Sequence, residues 1–122
     1  MSGEFARLLG AWGEGVVAQD LRKKGWTIIA ANYRCRMGEI DLVAEKKPYL
    51  SFVVVKLRKI DLFASASDNV TTEKQRKVKA AALFFMNQHK TDLQPRFDVA
   101  EIYAPNGWET EDPEINYIEN AF

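Results

Sequence analysis

The stretch Leu50-Ser51-Phe52-Val53-Val54-Val55-Lys56-Leu57-Arg58 decides how this chain folds. Its β-branched and aromatic side chains are typical of a strand, and the side chains of a strand alternate between two faces. Val54, Lys56 and Arg58 therefore share one face of this strand. That face carries apolar side chains first and charged ones at the end of the run.

Two strand-like runs precede this stretch, at Trp26–Tyr33 and Glu39–Ala44, and only short turn-forming segments separate the three. Short connections predict neighbouring antiparallel strands. After the third run, a loop at Ile60–Asn69 leads to a helix that begins near Thr71 or Thr72, and a strand follows at Arg96–Tyr103. A helix between the third and fourth strands is a crossover, which predicts that these two strands are parallel.

An N-terminal helix is predicted over Glu4–Lys24, because apolar residues recur there at helical spacing, namely Phe5, Leu8, Leu9, Trp12 and Val16. Its glycines, Gly13 among them, favour close packing against a sheet. The chain ends in a short strand at Ile115–Ile118. We therefore expect one α/β domain over residues 1–122: a mixed sheet of three antiparallel strands, a crossover helix and two further strands, with a helix on each side.

The composition is that of an ordinary globular domain, with 122 residues of which 47% are hydrophobic. No apolar run approaches the roughly 18 residues of a membrane span, and residues 1–7 lack the pattern of a secretory signal, so we expect a cytoplasmic protein without a membrane partner. A single cysteine and a single histidine exclude an internal disulfide and a Cys/His zinc cage. Carboxylates, lysines or hydroxyls must carry any chemistry.

The formal net charge is zero, but the charge is unevenly distributed along the chain. Residues 97–122 contain seven acidic residues and no lysine or arginine, so residues 1–96 carry a net charge of +7. This asymmetry permits a basic face that binds phosphates. The candidate phosphate contacts are Arg34, Arg36, Arg58, Lys74 and Lys77, with Lys59, Arg76 and Lys79 beside them. A solvated basic surface is the competing interpretation.

Glu39 and Asp41 share a face of the second strand, and Lys56 lies on the adjacent strand. Glu14 lies opposite the apolar stripe of the first helix, where it can face an interior or a cleft. Carboxylates beside a lysine are what metal-assisted phosphodiester cleavage needs, because oxygen ligands hold a hard cation and the lysine stabilises developing charge. The competing interpretation of these residues is that they form solvent-exposed ion pairs at the strand ends.

Several motifs together resemble the YraN family of small bacterial proteins, over about Gly13 to Phe122. They are Trp12-Gly13-Glu14, Asn32 to Ala44 with its Gly38-Glu39-Ile40-Asp41 core, Phe52-Val53-Val54-Val55-Lys56, Arg96-Phe97-Asp98-Val99 and Asn120-Ala121-Phe122. That family is described as predicted endonucleases, distantly similar to archaeal Holliday junction resolvases, with the restriction-endonuclease-like PD-(D/E)xK fold. The resemblance implies Asp41 as the motif aspartate, Lys56 as the motif lysine, and Glu14 as a helical glutamate that helps Asp41 hold Mg²⁺ or Mn²⁺.

One position departs from the family pattern, which reads Phe-Val-Glu-Val-Lys where this chain has Val54. An isopropyl group cannot coordinate a metal, so we expect a nucleic-acid-binding protein with impaired cleavage, which needs Mg²⁺ or Mn²⁺ only if it is active. In one alternative, a substitute carboxylate, Glu39 first and Glu73 second, completes an active structure-selective DNA endonuclease. In the other, which the zero net charge favours, the domain binds only proteins. Because the candidate contacts are arginines and lysines, we expect DNA binding that does not depend on base sequence. The resemblance implies that the DNA can be branched and that the protein forms a homodimer.

Overall fold

A computed structural model describes residues 2–59 and 70–122, and the predicted loop Ile60–Asn69 lies outside these residues. No helix in these two ranges is long and apolar enough to cross a membrane. In chain order, the described elements are α1 (Ser2–Lys23), β1 (Thr27–Cys35), β2 (Gly38–Lys46), β3 (Tyr49–Arg58), α2 (Thr72–Gln88), β4 (Gln94–Tyr103), a 3₁₀ turn (Gly107–Glu109) and β5 (Glu114–Ile118).

The strands form one sheet in the order β1-β2-β3-β4-β5. Strands β1, β2 and β3 pair antiparallel, β3 and β4 pair in parallel, and β5 is antiparallel to β4. The parallel pair is the one that the predicted crossover helix required, because a chain that returns in the same direction must first cross a face of the sheet. In this pair Lys56 lies opposite Glu101.

Each helix covers one face of the sheet, and the alternating side chains of the strands supply both cores. On the α1 side, Val17, Ala18 and Leu21 pack with Leu42, Ala44, Val53, Ala100 and Ile102. On the α2 side, Val78, Ala81, Ala82 and Phe85 pack with Ile40, Val43, Phe52, Val54 and Val99. The predicted mixed sheet with a helix on each side is confirmed.

The apolar stripe of α1 is buried further along the helix than its spacing suggested. Phe5 is 52% and Leu8 44% exposed, whereas Val17 and Leu21 are buried in the core. Helix α1 touches the sheet around Gly13, where an added Cβ would lie 3.3 Å from side-chain atoms of Leu57 and Ile102. The first two turns therefore lie beyond this contact, where the Phe5 ring meets Trp108 at a centroid distance of 5.0 Å.

A buried carboxylate ties the C-terminal segment to the sheet. Asp98 accepts hydrogen bonds from the Ser51 hydroxyl, from the Arg96 guanidinium and from the backbone N–H of Asn120. Asp98 is 4% exposed, and its three partners come from β3, β4 and the C-terminal segment. The Arg96-Phe97-Asp98 motif therefore has a structural role in this chain.

Candidate functional site

The candidate site begins where the ladder between β2 and β3 ends. The last paired residues of that ladder are Leu42 and Val53. Beyond them the backbone N–H of Val55 donates to Asp41 Oδ2 at 2.8 Å, so that a side chain takes the place of the missing backbone partner. Asp41 is half-buried at this position, and one of its oxygens is already in use.

Helix α1 brings Glu14 to the same place. Burial, followed by the charges of Asp41 and Glu39, raises the pKa of Glu14 to about 7, and a side-chain hydrogen bond with Asp41 acts in the same direction. Burial also raises the pKa of Asp41 above its ordinary value. Two neighbouring carboxylates resist being charged together, so burial and the nearby charges favour the protonated form of Glu14 up to about pH 7. We name this pair the carboxylate pair.

Two lysines lie beside the carboxylate pair, Lys56 from β3 and Lys74 from the first turn of α2. Both positive charges act to lower the pKa of Asp41 against the effect of burial, and Lys74 is the stronger of the two. Burial lowers the pKa of Lys56, and the like charges of Lys74 and Arg58 lower it further. In the described ranges, no carboxylate oxygen lies within 4.0 Å of either ammonium group.

An open groove of about 440 Å³ adjoins this centre, between the β1–β2 turn and α2. We name it the basic groove; it is lined by Arg34, Cys35, Arg36, Met37, Gly38, Glu39, Lys74 and Lys77. Four basic side chains thus face one acidic side chain. The turn packs closely on the helix, because a Cβ at Gly38 would lie 2.9 Å from the carbonyl oxygen of Lys77. Glycine therefore sets the width of the groove.

Four of the five predicted nucleic-acid contacts line the basic groove, and the fifth does not. The guanidinium of Arg58 instead lies 3.5 Å from Glu101, whose side chain is fully buried. Asn116 donates a second hydrogen bond to the same carboxylate at 3.0 Å. Sequence reasoning missed Glu101, because its partnership with Arg58 depends on the register of the parallel pair β3 and β4.

Val54, where the resemblance led us to expect a glutamate, is 2% exposed and lies in the core beneath α2. The proposed substitutes do not complete a metal site: Glu39 is exposed, and Glu73 lies 3.4 Å from Lys77. Across residues 2–59 and 70–122, no three His, Cys, Asp or Glu side chains converge closely enough to hold a metal ion. The donor set therefore does not fit a resident Mg²⁺ or Mn²⁺, which needs several oxygen ligands at once.

Comparison with known proteins places the chain among bacterial proteins of one family. The family model described as "Uncharacterised protein family UPF0102" matches residues 13–102. A UPF0102 protein of Caldanaerobacter subterraneus is 39% identical over 117 residues, 95% of each chain. A UPF0102 protein of Syntrophomonas wolfei is 40% identical over 117 residues, and one of Saccharophagus degradans is 40% identical over 115. These alignments cover 95% and 93% of this chain, and 98% and 91% of the relatives.

Proposed function

We propose, from the premise that this chain belongs to the uncharacterised protein family UPF0102, that it binds the phosphate backbone of DNA in the basic groove. In this proposal the domain is a PD-(D/E)xK nuclease-like fold whose cleavage is impaired by Val54. The observation that carries the proposal is the composition of the groove, with four basic side chains against one acidic one.

Basic side chains in an open groove suit a polyanion more than a small ligand. Arg34, Arg36 and Lys77 are exposed, so a backbone can reach them without rearrangement of the core. Contacts to phosphates contribute to affinity and orient the protein on the DNA, but they do not distinguish one base sequence from another. Among residues 2–59 and 70–122, no aromatic side chain lines the groove, so a duplex is a better fit than a single strand held by base stacking.

The nuclease-like part of the proposal rests on where the expected catalytic residues lie relative to the basic groove. The carboxylate pair and Lys56 adjoin the basic groove, and Lys74 belongs to both sites. A phosphate in the groove would thus meet the residues that the family resemblance assigns to catalysis. Cleavage is expected to be weak or absent, because the position two residues before Lys56 offers no oxygen ligand.

Fluorescence anisotropy with a labelled 20-base-pair duplex tests the binding. We expect the affinity to fall steeply between 50 and 200 mM salt, and each of Arg34→Ala, Arg36→Ala and Lys77→Ala to reduce the log–log salt slope by about 0.9. Lys90→Ala is the matched control, because Lys90 is exposed beyond the far end of α2, a helix of 17 residues and about 25 Å. Salt-independent affinity, or groove variants that behave like the control, would contradict the proposal.

A labelled-junction assay with Mg²⁺ or Mn²⁺ tests the catalytic part. We expect binding without cutting. Cutting that disappears in Asp41→Ala would instead support the active structure-selective endonuclease. Absence of any DNA binding at low salt would favour the protein-interaction domain. Light scattering of the free and DNA-bound protein measures whether it forms the homodimer that the family resemblance implies.

A further inference from the structure

We propose that this chain has a second binding site, apart from the basic groove, for a small uncharged ring that carries a lactam, the adjoining carbonyl and N–H found in nucleobases such as hypoxanthine. The site is a cavity of about 260 Å³ between the end of α1 and the sheet. This volume is below the roughly 300–1,000 Å³ of pockets for drug-sized ligands, so the cavity suits a molecule of one or two fused rings. The inference does not depend on the proposed DNA binding.

The cavity lies at the end of the sheet that is far from the basic groove. Ala44 of β2 and Val53 of β3 line it, and both belong to the core on the α1 face. The groove is lined by Gly38, at the opposite end of β2. Six residues of strand, about 20 Å, separate Gly38 from Ala44. A nucleotide held in the groove therefore does not reach the cavity, which calls for a ligand of its own.

The walls of the cavity suit a flat ring. Leu21, Ala44 and Val53 supply apolar surface, and the rings of Trp26 and Tyr117 also line the cavity. Aromatic side chains offer π surfaces on which a planar ring can pack. The Tyr117 hydroxyl donates to Asp20 at 2.6 Å, which fixes the position of that ring.

Arg96 supplies a hydrogen-bond donor at the cavity. Its Nε and Nη2 donate to Asp98 at 3.0–3.1 Å, and its guanidinium lies 5.5 Å from the ring centroid of Trp26 and 4.5 Å from that of Tyr49. These contacts hold the guanidinium in place. Within residues 2–59 and 70–122, Nη1 makes no hydrogen bond and is not an enclosed atom. Nη1 can therefore donate to the carbonyl of a ligand.

Glu119 supplies the matching acceptor. Its exposed carboxylate lines the same cavity and lies 3.7 Å from Nη2 of Arg96, which is longer than a hydrogen bond. A donor beside an acceptor is the complement of a lactam, whose carbonyl adjoins an N–H. The charged side chains that line the cavity are two basic ones, Lys24 and Arg96, and two acidic ones, Asp98 and Glu119. This balance favours an uncharged ligand over an anion.

Titration of the full chain with hypoxanthine, followed by ¹H–¹⁵N NMR, tests the proposal. We expect a saturable shift of the Trp26 indole N–H with a dissociation constant on the order of 0.1–1 mM, as for a ligand of this size. Arg96→Lys and Glu119→Ala should each weaken binding about tenfold, because each removes one hydrogen bond to the lactam. Glu119 is exposed, so Glu119→Ala leaves the core intact if Arg96→Lys fails to fold. Glu111→Ala, which changes another exposed glutamate, is the matched control.

Related ring compounds separate lactam recognition from simple filling of the cavity. Purine has the same two rings without the carbonyl and should bind about tenfold more weakly than hypoxanthine, and the anion benzoate should bind more weakly still. No shift at the solubility limit of hypoxanthine, equal binding of purine, or tighter binding of benzoate would each overturn the proposal. Hypoxanthine should leave duplex affinity unchanged; displacement of the duplex would place the ligand in the basic groove and overturn the assignment to the cavity.

Discussion

The Asp41 carboxylate accepts a hydrogen bond from the backbone N–H of Val55, 14 residues further along the chain, at 2.8 Å. This bond closes the gap beyond the last ladder pair, Leu42 and Val53. It therefore couples the acidic residue of the candidate site to the strand that carries Lys56. Asp41 stabilises the sheet and shapes the site with the same side chain.

The first prediction concerns the proton of the carboxylate pair. Asp41→Asn retains an acceptor for the Val55 N–H but removes the negative charge beside Glu14. The pKa of Glu14 should fall from about 7 part of the way toward its ordinary value, because burial is the larger cause and remains. Carbon-detected NMR titration of the glutamate carboxyls measures it, and an unchanged pKa of Glu14 would show that the two acids do not interact.

The second prediction is a pH dependence of stability that originates at Glu14. Folding raises the pKa of this carboxyl from 4.5 to about 7, so the folded state favours the protonated form. Its contribution to stability is therefore highest below pH 4.5, falls between pH 4.5 and 7, and stays low above that. Glu14→Gln should stabilise the protein at pH 8 by on the order of 1 kcal/mol after allowance for solvent screening, and by much less at pH 4.5.

Urea unfolding at several pH values measures the effect of Glu14→Gln. Glu111→Gln, which changes an exposed glutamate, is the control and should show no such trend. Equal stabilisation by Glu14→Gln at low and high pH would point to improved packing instead of relief of charge.

The third prediction concerns Val54. Val54→Glu places a carboxylate in the apolar core beneath α2, and the metal-free protein should lose several kcal/mol of stability. Mg²⁺ should raise the melting temperature of Val54→Glu and leave the wild type unchanged, since the substitution supplies an oxygen ligand two residues before Lys56 that the wild type lacks. Val54→Gln is the neutral control. Equal responses of wild type and Val54→Glu to Mg²⁺ would contradict the prediction.

The fourth prediction concerns Asp98. Asp98→Ala removes the shared partner of Ser51, Arg96 and the Asn120 N–H, and leaves the half-buried Arg96 guanidinium with the exposed Glu119 carboxylate at 3.7 Å. The expected loss is about 3–5 kcal/mol, as for a broken buried ion pair. Denaturant unfolding checks this, with Asp92→Ala, which changes an exposed aspartate, as control. A loss of stability below about 1 kcal/mol would show that the hydrogen bonds and ion pair of Asp98 contribute little to the folded state.

The sequence by itself determined the order and direction of the strands, the crossover between β3 and β4, and the two faces of the sheet. These features could be predicted because buried side chains recur at every second residue in a strand and at helical spacing in a helix. The same alternation predicted that Val54 and Lys56 share one face of the sheet. Arg34 and Arg36, near the β1–β2 turn, were identified as candidate phosphate contacts by their charge alone.

Only the tertiary structure decided which charges meet. The partnership of Arg58 with Glu101 depends on strand register, and Glu14 lies beside Asp41 because Gly13 lets α1 approach the sheet. The exposure of Phe5 likewise follows from where that approach occurs. Periodicity assigns a side chain to a face, but the distance between two side chains on different elements is set by packing across the whole core.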